Sequence, residues 1–390
     1  MSEGVEVSFV MPCLDEAETL ETCISAAQRC IESHGLAGEI IVADNGSSDG
    51  SQEIARRCGA RVVDVKERGY GAALMGGFEA ATGRYLVMGD ADESYDFAEV
   101  MPMIEALRSG ADLVMGSRFL GEIAPGAMPW SHRWIGNPVL SGIGRLFFNS
   151  NISDFHCGLR ALTRQAYKEL GLRTTGMEFA TEMVVKAEAR GLNVTEVPIV
   201  LHPDGRSRPP HLRKWRDGWR HLRFMMILSP RYTLLFPGIL LMAVFGALLG
   251  RLWFGTLRLG PMTLDIHSMQ IAGLLVIVGY QSVTTAIAAR IYAVAEEIGP
   301  PVPWMQRAFG IFTLERGLLG GALLALAGGS LIAAEFWSWA RASFGPLQPA
   351  VSMRPVVVGA TLFALGIQTL LMSFLYSMLG ITRRQGAPDS

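Results

Sequence analysis

Charge is what this 390-residue chain has least of, and the shortage is uneven. No Asp, Glu, Lys or Arg occurs in Tyr232–Gly250, Ile266–Ala289, Gly317–Ala334 or Pro355–Thr382. A single ordinary soluble domain is excluded, because each stretch is about as long as the ~20 apolar residues that cross a bilayer. Cysteine is sparse as well. The five residues at 13, 23, 30, 58 and 157 include no C-x-x-C, which argues against a zinc site and a disulfide framework. No G-x-G-x-x-G follows the first apolar run, and no glycine lies between Met11 and Glu32, so a dinucleotide-binding oxidoreductase is rejected. Gly69-Tyr70-Gly71 echoes that motif only in part and follows the third run.

The charges that are present fall into three blocks. Residues 1–200 hold 17 basic and 28 acidic side chains, and residues 201–231 hold 8 and 2. Residues 232–390 hold only 9 and 6. The basic excess is thus confined to one short stretch, which excludes nucleic acid as a partner and leaves disordered and collagen-like classes without support. The four uncharged stretches predict a membrane bundle with spans near 232–250, 266–289, 317–334 and 355–382. Glu3 and the strand-like Val5–Met11 predict that no signal peptide leads the chain. An even number of spans then puts both termini in the cytosol, with Arg206–Arg231 and Arg383–Arg384 on the same side. Arg251, Arg258, Arg341 and Arg354 in the opposite loops weaken that bias.

In the first 200 residues, short apolar runs alternate with helix-compatible segments. Val5–Pro12, Glu39–Asp44, Ala60–Val65, Arg84–Asp90 and Ala111–Gly116 read as strands, with helices at Ala72–Ala81 and Phe97–Arg108. This alternation predicts an α/β fold with a parallel sheet covered on both faces. Ligands in such sheets collect at the carboxyl ends of the strands. Those ends read Pro12-Cys13-Leu14-Asp15-Glu16, Asp44-Asn45-Gly46-Ser47 and Asp90-Ala91-Asp92-Glu93. Asp90 and Asp92, two apart, share a face if the strand continues, and a divalent ion such as Mg²⁺ or Mn²⁺ would relieve their repulsion. A helix cap is the plainer reading of a lone D-x-D, but the second acidic turn favours the metal. There Asp44 can accept from a base or ribose, and Gly46 permits close approach.

Together Val10–Glu16, the turn Ala43–Gly50, Gly71–Gly83 and Asp90–Asp92 resemble the family 2 glycosyltransferases of the GT-A, Rossmann-like fold. Gly116-Ser117-Arg118, Asp154, Cys157–Arg160, Glu182 and Glu196-Val197-Pro198 narrow the resemblance to polyisoprenyl-phosphate glycosyltransferases, the dolichol-phosphate mannose or glucose synthases. It covers about the first 230 residues, and some members of that family also end in four spans. The resemblance implies that Pro12, Leu14, Glu16, Asp44 and Asn45 line a nucleoside pocket. It implies that Asp90, Ala91 and Asp92 hold metal and diphosphate, with Asp90, Asp92 and Arg118 in the catalytic set. Arg118 and Arg133 would reach phosphate groups, and Arg206, Arg208 and Arg133 the acceptor phosphate. Ser94 stands where the family often has a metal-binding Gln, so Glu93 is expected to substitute. Asp15 and Asn45 exchange the family's usual Asn and Asp, which leaves the base open between UDP and GDP.

A phosphate acceptor suits these residues. A hydroxyl nucleophile needs a general base, whereas a phosphate monoester with a second pKa of ~6 is already nucleophilic. Arg206, Arg208, Arg213 and Lys214 precede Trp215–Leu228, where Trp215, Trp219, Leu222, Met225 and Met226 recur at helical spacing. Such a segment lies in the headgroup plane, and it serves equally as a polybasic anchor. The expected architecture is a cytosolic catalytic domain (1–205), a basic loop with an interfacial helix (206–231), four spans (232–382) and a cytosolic tail (383–390), in a bacterial inner membrane. The expected partners are a nucleotide-sugar donor, a polyprenyl-phosphate lipid and the membrane. The expected reaction is inverting hexosyl transfer between the first two. A lipid hydroxyl acceptor and a non-catalytic scaffold with a degenerate head are the alternatives. A processive polysaccharide synthase is disfavoured because Q-x-x-R-W is absent. His156 is expected to be a structural hydrogen-bonder. Gly246 with Gly250 and Gly317 with Gly321 suit close helix packing, within one protomer or in a homo-oligomer.

Overall fold

The structure is a computed structural model that describes residues 4–207, 214–295 and 313–379, without side chains at 214–217. The chain forms two compact units, Met1–Met225 and Met226–Ser390. Arg208, Arg213 and the Arg383–Arg384 pair lie outside the described residues.

The first unit is built on a sheet of seven strands. They are β1 (Val7–Cys13), β2 (Gly38–Asp44), β3 (Arg61–Asp64), β4 (Tyr85–Met88), β5 (Leu113–Ile123), β6 (Arg160–Thr163) and β7 (Val194–Leu201), in the order β3-β2-β1-β4-β6-β5-β7. The helices are α1 (Leu20–Ser33), α2 (Ser51–Arg57), α3 (Tyr70–Ala80), α4 (Met101–Arg108), α5 (Asn137–Phe148), α6 (Arg164–Leu170) and α7 (Phe179–Arg190). The apolar runs are continuous because both faces are covered. In β1, Val7, Phe9, Met11 and Cys13 enter one core with α1 and α4, while Val10 enters the other with α3 and α7. This is the GT-A, α/β arrangement that the resemblance implied, with one correction. β6 runs antiparallel to β4 and β5, so the sheet is mixed. That strand is four residues long and carried too little periodicity to be read from sequence.

Mixed direction gathers five segments at one sheet edge. β1, β2 and β4 are parallel and end there, and Cys13 pairs with Asp44. Antiparallel β6 begins there, with Arg160 opposite both Met88 and Met115. β7, parallel to β5, ends there and delivers residues 202–207.

Away from that edge, Glu39 ties neighbouring segments together. Its carboxylate accepts from Ser8 Oγ at 2.7 Å, from Thr82 N and Oγ1 at 2.6 Å each, and from Arg61 at 2.7 Å. Burial alone would raise its pKa, but the Thr82 and Ser8 hydrogen bonds and Arg61 outweigh burial and lower it to about 2. A carboxylate depressed in the folded state stabilises fully above its unfolded pKa, and the contribution fades as pH falls toward the folded value. Glu39→Gln is therefore expected to lower stability at neutral pH and to flatten its loss between about pH 4.5 and about 2. Denaturant titrations across that window check this.

Among the described residues, the second unit contains four helices long and apolar enough to cross a membrane. A π-helical turn at Arg231–Leu235 leads into α9 (Phe236–Trp253), followed by α10 (Ile266–Ala295), α11 (Leu314–Arg341) and α12 (Pro349–Leu379). The helix preceding them, α8 (Lys214–Leu228), links the units. The spans run 23, 30, 28 and 31 residues with mean hydropathies of 2.2, 1.7, 1.9 and 1.9. They extend past the uncharged stretches, because an apolar core needs only its middle free of charge. Glycines set the close crossings within the chain. Gly238 of α9 meets the carbonyl oxygen of Gly279 on α10, and Gly321 and Gly328 of α11 meet those of Gly366 and Gly359 on α12. Without a side chain, the two backbones approach closely enough for dispersion to hold them. Gly317 also packs in this seam, against Ser373, while a Cβ at Gly250 would meet nothing within 4 Å among the described residues.

Candidate active site

Two turns are knitted together at the sheet edge. After β1, Asp15 adopts φ 56°, and its N–H donates to Ser47 Oγ at 2.9 Å. Glu16 N donates to Ser51 Oγ at 2.9 Å and Ala17 N to Asp49 Oδ2 at 2.8 Å. Ser48 N returns a bond to Asp15 Oδ1 at 2.7 Å. The β1–α1 and β2–α2 turns thus form one rigid rim.

Asp44 and Asn45 do different work in that rim. Asp44 is fully buried. Its Oδ2 accepts from Gly46 N and Ser47 N at 3.1 Å each and from Gln52 Nε2 at 2.6 Å. Its Oδ1 is buried with no hydrogen-bond partner among the described residues, a costly state that a ligand N–H or O–H would relieve. Asn45 is spent internally. Its Nδ2 donates to the carbonyls of Val65 (3.0 Å) and Glu67 (2.7 Å), and its Oδ1 accepts from Gly69 N at 2.7 Å. The amide clamps the loop that carries Arg68.

The D-x-D pair departs from the geometry expected of it. β4 ends at Met88, so Asp90 and Asp92 meet through a bend rather than through strand pleating. Burial first, then the charge of Asp92, pushes the Asp90 carboxyl up to about 7, against the opposing pull of a Tyr70 hydrogen bond and Arg206. Asp92 Oδ1 accepts from Ser94 N at 3.1 Å and from the Ser94 hydroxyl. Its Oδ2 lies 3.1 Å from Arg206 Nη1. Arg206 also grips Glu16 through Nε and Nη2, both at 2.8 Å. Glu93 adopts φ 65°.

These segments enclose a cavity of about 740 Å³. The structure brings Pro12, Leu14, Glu16, Asn45, Asp90, Ala91, Asp92 and Arg206 to its lining. It does not bring Asp44, Glu93, Arg118 or Arg133 there. Among the described residues no three His, Cys, Asp or Glu side chains converge as a metal site, so Glu93 does not complete a triad with Asp90 and Asp92. Two carboxylates still fit Mg²⁺ or Mn²⁺, which fill their remaining positions with phosphate oxygens and water. Arg118 is instead locked in the protein. Its Nε and Nη2 donate to Asp154 at 2.6 and 2.7 Å, and the Asp154 side chain has no exposure. Burial disfavours the Arg118 charge, but Asp154 more than offsets this and raises its pKa. Arg133 is exposed on a π-helical turn, its guanidinium 5.6 Å from the Trp134 ring centroid.

Arg68, Tyr70, Ala73, Arg173–Glu178 and Arg220 also line the cavity, and the sequence had assigned none of them to the site. Glu182, noted only as part of a motif, positions the 173–178 loop. It accepts from Arg173 N at 3.1 Å, Thr174 N at 2.9 Å and Thr174 Oγ1 at 2.6 Å, and pairs with Lys186 at 2.7 Å. The Thr175 carbonyl accepts from Ala72 N at 3.1 Å and lies so close to Gly69 (φ 139°) that a Cβ there would overlap it. Arg220 reaches the cavity from α8 and pairs with Glu178 at 3.3 Å. His156 bonds only through its backbone N–H, to Asp154 Oδ1 at 3.3 Å, and not through its ring as expected. Both ring nitrogens are buried without partners among the described residues, and burial followed by neighbouring His221 holds its pKa well below the usual value.

The first unit also presents an apolar face. Trp130 and Trp134 are 68% and 63% exposed, with Ile135, Val139 and Leu146 beside them in sequence on the turn and α5. On α8, Trp219 and Ile227 are exposed, whereas Met225 is buried.

Comparison with known proteins gives two family matches. A model described as glycosyl transferase family 2 matches residues 8–171, and one described as the glycosyltransferase family 2 C-terminal transmembrane region matches residues 287–380. The low-salt glycan biosynthesis hexosyltransferase Agl6 of Haloferax volcanii is 36% identical over 96% of this chain and 89% of its own length. A dolichyl-phosphate hexose transferase of the same organism is 27% identical over 50% of this chain and 82% of its own. Glucosyl-3-phosphoglycerate synthase of Mycobacterium tuberculosis, crystallised with Mn²⁺, UDP and glucosyl-3-phosphoglycerate, shares 22% identity. Its TM-score is 0.45 over 57% of this chain and 79% of that one.

Proposed function

The chain belongs to the family 2 glycosyltransferases with a C-terminal transmembrane region, and from that premise we propose that it moves a hexose from UDP or GDP to a polyprenyl phosphate. It is an integral membrane protein. The observation that carries the reading is one cavity lined by both D-x-D carboxylates and four arginines, Arg68, Arg173, Arg206 and Arg220, the last on α8.

A divalent ion on Asp90 and Asp92 would act as Lewis acid toward the diphosphate leaving group. Asp44, outside the lining, holds the turn beside the nucleoside through the backbone N–H groups of Gly46 and Ser47. The arginines neutralise two phosphorylated ligands, and their planar forks suit phosphate oxygens. A phosphate oxygen of the lipid attacks the anomeric carbon as the bond from that carbon to the diphosphate breaks. The nucleoside diphosphate leaves with the electron pair, and inversion follows from a single displacement. No cavity group has to remove a proton, which agrees with a neutral His156 outside the lining.

The acceptor assignment is supported by the dolichyl-phosphate relative's name and by the exposed Trp130, Trp134 and Trp219, which suit a headgroup layer. We place this reaction at the cytosolic face. The test is a donor screen with purified protein and either undecaprenyl or dolichyl phosphate in lipid vesicles. The expected product is lipid-extractable, acid-labile and lost on chelation. Absence of product with every UDP- and GDP-hexose overturns the reading. An acid-stable lipid product replaces the phosphate acceptor with a hydroxyl.

A further inference from the structure

Arg206 stands where a cation is needed. Its guanidinium bridges two carboxylates of different segments, Glu16 with both oxygens at 2.8 Å and Asp92 Oδ2 at 3.1 Å. The side chains concerned are all at most 12% exposed, so little water screens them. Asp92 has no oxygen to spare, because Ser94 holds Oδ1 and Arg206 holds Oδ2. A divalent ion on Asp92 Oδ2 would sit within a few ångströms of the guanidinium, and two cations at that separation in a screened-off cleft repel strongly.

The segment carrying Arg206 is docked on the D-x-D bend itself. His202 N donates to Ser94 O at 3.0 Å and Gly205 N to Asp92 O at 2.9 Å. Ser207 N and Oγ donate to Glu18 at 2.7 and 2.5 Å. Gly205 passes so close to the Glu93 carboxylate that a side chain there would collide with it. Pro203, the one apolar residue in 202–207, is exposed, and the segment meets the bend through this handful of polar bonds. Such a segment is retained mainly by the charge complementarity of Arg206, and a competing cation removes that.

We infer that Arg206 is the protein's own counter-cation at the D-x-D pair, and that loading this pair with a divalent ion expels Arg206 and frees residues 202–207. The inference rests on the metal-dependent transfer proposed above. It gives the reaction an order. With the donor site empty, Arg206 is engaged and unavailable to a lipid phosphate. With metal and donor bound, it becomes available. Linkage makes the effect reciprocal, so whatever loosens the segment must tighten metal binding by the same factor.

The test is Mn²⁺ binding to the full-length protein in detergent, read without turnover from the loss of the free-ion paramagnetic resonance signal. Arg206→Gln is expected to bind Mn²⁺ alone at least tenfold more tightly than wild type. Glu18→Gln, on the exposed rim, loosens Ser207 without touching Glu16, Asp90 or Asp92 and is expected to shift affinity the same way by a smaller factor. In wild type, saturating Mn²⁺ with UDP or GDP is expected to speed trypsin cleavage after Arg206 severalfold. Unchanged or weaker Mn²⁺ binding in both variants overturns the inference, as does cleavage unaffected by Mn²⁺ with nucleotide. Tighter binding in the variants of a protein that transfers no sugar leaves the inference standing and removes the reaction. Metal-dependent transfer with unaltered variant affinities does the reverse.

Discussion

Asp92→Asn is expected to reduce sugar transfer by about 10³-fold or more while leaving the first unit folded. Asn is nearly isosteric with Asp, and its side-chain oxygen can still accept from Ser94 N, which lies 3.1 Å from Asp92 Oδ1. The 90–94 bend therefore keeps its main internal bond. The change removes one of two negative charges, and a metal held by two carboxylates loses half of its protein-derived charge. Several kcal/mol of leaving-group stabilisation depend on that ion, and each ~1.4 kcal/mol is a factor of ten in rate. The substitution also removes the charge that helps push the Asp90 carboxyl up, so the lost activity cannot come from a more protonated Asp90. Initial rates with labelled donor, set beside thermal melts of the same preparation, give the answer. A variant within tenfold of wild type would remove Asp92 from the metal site.

What could be read in the sequence was whatever is local. Continuous apolar runs marked β1, β2 and β4 because strands covered on both faces have no polar alternation to hide them. The four spans were visible for the same reason, since lipid demands an uninterrupted apolar length. The acidic strand ends were legible because parallel strands bring their carboxyl ends to one edge. The wall of the cavity opposite those ends was not. Arg173, Thr174 and Arg220 enter it only because Glu182 folds back the 173–178 loop and α8 docks on α7 through Arg220–Glu178 and Thr181–His221. No spacing rule connects position 220 with position 90. Asn45 borders the cavity but spends its amide on backbone, and only the position of the Val65–Gly69 loop decides that. Asp90 and Asp92 meet, though by a bend rather than by the strand pleat that suggested it.

Arg118 separates the two ways a buried arginine can matter. Arg118→Met is expected to destabilise the first unit by about 3–5 kcal/mol, because it leaves the fully buried Asp154 carboxylate without its fork. Arg118→Lys should recover little, since one ammonium cannot reproduce donation from Nε and Nη2 to the two oxygens at once. Asp154 is itself fixed by neighbours that persist in either variant. Glu196 accepts from Asp154 N at 3.1 Å, and Ser153 N and Oγ bond the same carboxylate oxygen at 2.9 and 2.8 Å. The uncompensated charge therefore has nowhere to turn. Replacing both partners by apolar side chains of similar volume removes the charge along with its partner, and such replacements of buried pairs are often neutral or stabilising. The double variant Arg118→Met with Asp154→Leu should accordingly regain most of the stability lost in the single one. Its transfer rate per folded molecule then isolates the chemistry. A rate near wild type makes Arg118 a positioning residue that holds the 154–160 segment at the sheet edge. A rate that stays low while stability returns gives the guanidinium a direct part in binding the diphosphate. That outcome would require Arg118 to leave Asp154 for the cavity when donor binds. A single variant destabilised by less than about 1 kcal/mol would contradict the buried-pair account altogether.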